Sequence, residues 1–541
     1  MKFTRRAFVL ASAIGISPLY SWPSSQALPT NTAQFNSIAA TEKNLAFSMT
    51  SPKPVRLIGF PVFADATQAQ NGIVLYSGPA EKNKPVTIPR IEKNIDRLFW
   101  KFILFDSTAN TAISPASFAT DLGAIPAEKP PMDWPKSIKG ATCPVDVADL
   151  KLLGVRHCHL NIALNLLLQS SEPKDKSKPE NSDAYFRVVD GQKIHFNPRY
   201  VRSLDKSIRE LSDAGINTVA VLLNYLHHLT PLTHPRTDLR QTPTHIGAFN
   251  LSNTEGLNAY RACVEFLSDR YGVPQRTNGF LGGFIIGNEL QSHWQWHNFG
   301  EATLAEIVRQ YADELRIAWT SVRNTGSSLP VFASFDHFWN QGFSKNANRH
   351  QSGKAFLDEL ASLTNAEGAF PWHIAWHPYP ENLFKPAFWK DKTATFAEDS
   401  PRITFKNLEV LAEYMQKPQM QYQGKSRRLI LSEQGFHAGK TAETEQLQAA
   451  AYALAYRRLL QIPTVEAFIL HRQMDALGEG GLLLGIWPAT GTSSTKRPIW
   501  DVVKHIDTVD WKTHCDFALH IAGMKTWEEN TIKHGPFPEK N

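Results

Sequence analysis

The chain has 541 residues, 42% of them hydrophobic and 20% charged, with a formal net charge of +6. That length calls for more than one domain and supplies a large core, and the composition is that of an ordinary globular protein. Lys2, Arg5 and Arg6 carry half of the excess charge within the first 27 residues. The remainder is too mildly basic to point to nucleic acid or an anionic membrane as a partner.

Residues 1–27 read as an export signal. A basic start is followed by an apolar stretch from Ala7 to Leu19 and by the small-x-small site Ser25-Gln26-Ala27. Thr4-Arg5-Arg6-Ala7-Phe8-Val9 resembles a twin-arginine signal, so a periplasmic or secreted protein is expected. The apolar stretch falls short of the roughly 20 residues a span needs, so no membrane insertion is expected after cleavage. Residues 28–50, rich in Ser, Thr and Asn, read as a linker. Residues 51–130 carry short β-type runs at the spacing of a small β-sandwich, although Ile91–Phe105 also fits a helix. Pro126, Pro130, Pro131 and Pro135 mark a joint. The four cysteines (Cys143, Cys158, Cys263 and Cys515) match no zinc spacing and are expected as buried free thiols.

From 131 to 510 strand-like and helix-like segments alternate eight times. The predicted strands are Ser137–Cys143, Val155–Ile162, Thr218–Leu223, Gly283–Glu289, Val331–Phe335, Trp372–His377, Arg428–Glu433 and Glu466–His471. Between them lie helical patterns such as Val201–Ala214 and Glu255–Tyr271. This is an α/β pattern that predicts a (β/α)₈ TIM barrel behind the β-sandwich-like domain. A doubly wound sheet is the alternative, but no Gly-rich phosphate loop follows the first strand. Long insertions follow strands two, three and six on the face where barrel active sites lie; the first includes the charged stretch Pro173–Ser182, expected to be mobile. Residues 511–541 read as a tail with a short helix.

Glu289 and Glu433 each end a short apolar run. A carboxylate at the C-terminal tip of a barrel strand contributes little to stability, and two facing one cleft suit glycosidic bond cleavage. With Asn288-Glu289 ending strand four, Ser432-Glu433 ending strand seven 144 residues later and His377-Pro378-Tyr379 on strand six, the barrel resembles the clan-A retaining glycoside hydrolases. The resemblance implies Glu289 as acid/base and Glu433 as nucleophile, with Asn288 on the sugar 2-hydroxyl and Tyr379 on Glu433. It also implies that His377 orients the cluster or binds sugar, and that no cofactor is needed. The chain departs from that clan at strand eight, where His471-Arg472 stands in place of the usual tryptophan. A branch of exported bacterial barrel proteins has a similar His-Arg and Glu-Gly-Gly ending.

Trp294 and Trp296 offer flat apolar faces for sugars. His159, Asn224 and His337 are further candidates for binding hydroxyls, and Arg472 for pairing with an acidic sugar or a neighbouring glutamate. The rim histidines also admit a metal-dependent hydrolase. A third reading is a non-catalytic glycan-binding protein on a degenerate barrel. The expected partner is a carbohydrate, and oligomeric state is left open.

Overall fold

The computed structural model describes residues 33–64, 71–169, 185–274, 277–489 and 496–533. The export signal and the Pro173–Ser182 stretch lie outside these residues. The expected linker does not exist as such from Gln34 onward. Gln34–Ala40 and Asn44–Thr50 are antiparallel strands, joined at one edge by Val86–Pro89. Their outer face is polar, which gave the stretch its linker-like composition. Ile38, Ala40, Leu45, Phe47 and Met49 form the buried face at a spacing of two.

A second antiparallel sheet pairs Val55–Pro61 with Ile73–Gly78 and with Trp100–Asp106. The helical option for residues 91–105 is thereby excluded, because Trp100–Asp106 is buried along its whole length as a central strand partner. Lys101 on that strand reaches the barrel. Its ammonium lies 3.0 Å from Asp313 and 3.5 Å from Glu367.

Eight parallel strands follow: Lys139–Ala141, His157–Ala163, Asn217–Tyr225, Gly283–Ile286, Val331–Asp336, Trp372–His377, Leu429–Gln434 and Val465–Leu470. Each pairs with its neighbours in chain order, and the eighth pairs with the first, so the sheet closes into a barrel. Inward-facing Val219, Val221, Leu223, Ile285, Phe332, Ile430 and Ile469 fill the lumen. Trp134, from the proline-rich joint, packs against this filling and donates its indole N–H to the Glu466 carbonyl at 3.2 Å.

The outer helices begin where side-chain caps occur. Asn197 caps Pro198–Asp213, Asn253 caps Thr254–Tyr271, and Thr303 with Glu306 forms a capping box on Leu304–Asn324. Gly215, at a positive φ of 71°, turns the chain out of the first of these helices into strand three. The strand-two insertion contains the hairpin Phe186–Val189 with Gln192–His195. After the barrel come the short helices Trp511–Cys515 and Phe517–Ala522. All four cysteines are free, Cys143 half-buried and the others buried. Among the described residues no helix is long and apolar enough to cross a membrane.

Candidate active site

A cavity of ≈ 550 Å³ opens at the C-terminal end of the barrel strands, and Glu289 and Glu433 both line it. Strand four stops at Ile286, so Glu289 sits three residues beyond the strand rather than at its tip. The chain turns there through two left-handed residues, Gly287 at φ 67° and Glu289 at φ 44°. Glutamate rarely adopts that conformation, and strain of this kind persists only where the surroundings enforce it. The Glu289 amide donates to Ser334 Oγ at 3.0 Å, and the Tyr311 hydroxyl donates to the Ile286 carbonyl at 2.7 Å. Both bonds hold the turn.

An oxygen of Glu289, an oxygen of Glu433 and a ring nitrogen of His377 all lie within 4.8 Å of one another. His377 Nδ1 is 2.9 Å from Glu289 Oε1, and Nε2 is 3.0 Å from Ser432 Oγ. The Tyr379 hydroxyl donates to Glu433 Oε1 at 3.0 Å. On the other side of Glu433, a nitrogen of His159 and one of His471 also lie within 4.8 Å of it and of each other.

The two carboxyls are driven apart electrostatically. Burial raises Glu289 above the usual carboxylate range, and the Glu433 charge adds to this; the His377 hydrogen bond opposes without prevailing. Burial also presses Glu433 upward, but His471, His377, His159 and the Tyr379 hydroxyl together outweigh it and bring it to about 2. His159, lowered to about 4 by burial, is neutral at neutral pH and donates from Nδ1 to the Ser432 carbonyl at 2.6 Å. Burial lowers His377, yet its bond to Glu289 and the charges of Glu433, Glu289 and Asp336 raise it overall. One site therefore holds two carboxyls whose proton affinities are shifted in opposite directions.

The other predicted site residues divide into three groups. Asn288, Trp296, His337 and Tyr379 line the cavity. His159 and His377 are buried around the carboxylates rather than in its walls. In the third group two expectations need correction and one is met in part. Trp294 is only 5% exposed and is stacked under the Arg349 guanidinium at 3.8 Å, so it is a packing residue. Asn224 is fully buried and donates to the Leu232 and Ala248 carbonyls, pinning the loop after strand three. Of the two partners expected for Arg472, the neighbouring glutamate is the one found: Arg472 pairs with Glu479, which also bonds His471, so its charge is used within the protein.

Asn161, Tyr225, Asp336, His471 and Glu479 also line the cavity. Asn161 and Tyr225 were legible in principle, each two residues beyond an inward-facing neighbour, His159 and Leu223. Asp336 accepts from Gln291 Nε2, Ser292 Oγ and the Phe338 amide at 2.6–2.7 Å; burial and the Glu289 charge raise it to about 8. Both nitrogens of His377 carry hydrogen bonds, so a metal at Glu289, His377 and Glu433 would have to displace one of them. The set His159, Glu433 and His471 shares Glu433 with that group.

A closed (β/α)₈ barrel with two unlike carboxyls in one cleft defines the class of protein. Residues 131–530 match the Family of unknown function (DUF5722), and the chain belongs to that family. No curated protein matches the sequence. Among solved structures, the chain is similar to a family 39 glycoside hydrolase from Bacteroides cellulosilyticus WH2, with 14% identity, 88% of this chain and 80% of that chain covered and a TM-score of 0.44. A glucosidase from Croceicoccus marinus gives 14% identity, 70% and 69% coverage and a TM-score of 0.42. A monomeric β-xylosidase from Caulobacter crescentus CB15 gives 16% identity, 71% and 70% coverage and a TM-score of 0.41.

Proposed function

We propose that this chain is an exported glycoside hydrolase that cleaves an O-glycosidic bond with retention of configuration. The observation that carries the reading is the approach of Glu289 and Glu433 oxygens to within 4.8 Å of each other, with their proton affinities shifted in opposite directions. An inverting enzyme needs about 6.5–9.5 Å between its carboxyls to admit a water, whereas about 5–5.5 Å suits direct attack. Glu433, ionised, attacks the anomeric carbon. The bond to the leaving oxygen breaks as Glu289 gives that oxygen its proton. Water, deprotonated by Glu289, then attacks the same carbon and releases Glu433. Tyr379 and His377 hold the two carboxyls in place throughout.

Among the described residues, no lysine or arginine lines the cavity, and Arg472 is paired with Glu479. This supports a neutral sugar over a uronate at the reacting position. Export rests on the first 27 residues, and replacing Arg5 and Arg6 with lysine should strand the protein in the cytoplasm. The deciding experiment is proton NMR of the first-formed anomer from aryl β-glycosides, with mass spectrometry of the enzyme after a 2-deoxy-2-fluoro glycoside. Retention and a glycosyl adduct on Glu433 are expected. Inversion, or full activity in Glu433→Gln, would refute the mechanism.

A further inference from the structure

The cavity has two unlike halves. Around the carboxylates it presents Asn161, Asn288, Tyr379 and His337, which supply hydrogen bonds. Asp336, His471 and Glu479 add further polar groups, and the rest of the lining is mainly aliphatic or aromatic. Val221, Leu223 and Ile246 reach it from strand three and the segment paired with it. Phe338 and Phe343 follow strand five, Leu383 follows strand six, and Leu482 and Leu484 follow strand eight.

The apolar surface continues out of the mouth. Phe343 is 54% exposed, Phe384 52% and Leu477 84%. Phe384 and Leu477 are chain neighbours of the lining residues Leu383 and Gly478. Phe343 stands edge-on to Phe338, 5.6 Å between centroids, and Phe338 is stacked on His337 at 4.5 Å. Three separate loops therefore bring apolar side chains, Phe343, Leu383 and Leu482, to one cavity.

Sugar rings are held by flat aromatic faces combined with dense hydrogen bonding. Branched aliphatic walls supply neither. Hydroxyls pressed against Leu383, Leu482 and Leu484 would leave water without gaining a partner, at a cost of about 1–3 kcal/mol each. An alkyl or aryl group gains from the same contact. Ser334, which holds the Glu289 amide, and Phe338 both belong to strand five and its following loop. One part of the apolar wall, Phe338, thus follows the strand that holds the turn of Glu289.

Building on the hydrolase reading above, we propose that the substrate is a glycoside whose leaving group is apolar, an alkyl or aryl aglycone rather than a further sugar. The Phe338, Phe343, Leu383, Leu482 and Leu484 wall is the aglycone subsite.

Titration calorimetry of the full chain with methyl, hexyl and octyl β-glucosides and β-xylosides, below their micelle-forming concentrations, tests this. Hexyl glycosides should bind about tenfold or more tighter than methyl glycosides. The double variant Phe343→Ser/Leu383→Ser should remove most of that gain and leave methyl glycoside affinity unchanged. Equal affinity across chain lengths, or no binding of any of them, overturns the subsite. Aryl glycoside turnover measured in parallel separates the two ideas. Turnover without chain-length dependence leaves the hydrolase and removes the subsite. Chain-length-dependent binding without turnover of any glycoside keeps the subsite and removes the hydrolase.

Discussion

The Tyr379 hydroxyl donates a 3.0 Å hydrogen bond to Oε1 of Glu433, from a side chain that is itself buried. Burial and the Glu433 charge push the phenol well above its usual range, so it stays a donor across any working pH. With His471, His377 and His159 the bond lowers Glu433, and in the proposed mechanism it leaves the other oxygen to attack. A hydrogen bond to a charged group contributes about 1.5–3 kcal/mol. Tyr379→Phe should therefore lower kcat by roughly ten- to a hundredfold with a smaller change in KM. Steady-state kinetics on an aryl glycoside checks this. A change confined to KM would mean that Tyr379 binds substrate uniformly instead of tuning Glu433.

His377 governs the basic limb of the pH profile. In the proposed mechanism activity requires Glu289 protonated and Glu433 ionised. Glu433 titrates at about 2, so it stays ionised through the working range. Burial raises Glu289, while the His377 hydrogen bond and charge lower it. Removing His377 removes only the lowering influences. His377→Asn should move the basic limb of kcat/KM to higher pH while reducing the maximum. A basic limb that stays in place or moves to lower pH would show that another group sets it.

Much of this site was readable before any coordinates. Strand six was predicted as Trp372–His377 and is found there, because an apolar run bounded by proline marks a buried strand. Glu289, Glu433, Asn288 and Tyr379 were placed on one rim because barrel order fixes which strand tips meet. What stayed hidden depended on side-chain partners. Trp294 and Trp296 are two residues apart and look alike in sequence. Only the position of Arg349, 55 residues downstream of Trp294, decides that Trp294 is covered and Trp296 faces the cavity. Asn224 is out of phase with the inward-facing Val221, Leu223 and Tyr225 of strand three, and it donates instead to the loop carbonyls of Leu232 and Ala248. The strands Gln34–Ala40 and Asn44–Thr50 were missed because their buried apolar positions are diluted by Ser, Thr and Asn on the outer face.

Asp336 links the site to stability. Its folded value of about 8 is raised above the ordinary 3.8 by burial and by Glu289. In the window between those values the folded chain holds a proton that the unfolded chain has released. Stability from this group is complete below about pH 4 and is lost as pH rises toward 8, with a limiting slope of about 1.4 kcal/mol per pH unit. Asp336→Asn keeps the shape and removes the titration. The melting temperature of the wild type relative to the variant should fall as pH is raised across this range. Parallel melting curves at acidic and mildly alkaline pH would refute the assignment.

Lys101 tests how firmly the N-terminal domain is fixed to the barrel. It leaves the strand Trp100–Asp106 and places a buried ammonium between Asp313, on the helix Leu304–Asn324, and Glu367. Arg309 also pairs with Glu367, so two acids share two cations in a site closed to water. Burial raises Asp313, and Lys101 and Arg309 work against that rise. Lys101→Met keeps most of the packing volume and withdraws one charge. A buried ion stripped of its partner costs about 3–5 kcal/mol, and a loss of this order is expected in urea unfolding. The loss must also depend on pH. Without Lys101, Asp313 is raised further, so at acidic pH it takes up a proton and escapes the penalty, while at alkaline pH it is buried charged. Destabilisation should be larger at alkaline than at acidic pH. A loss that is the same at both would assign the contribution of Lys101 to its aliphatic stem and not to its charge.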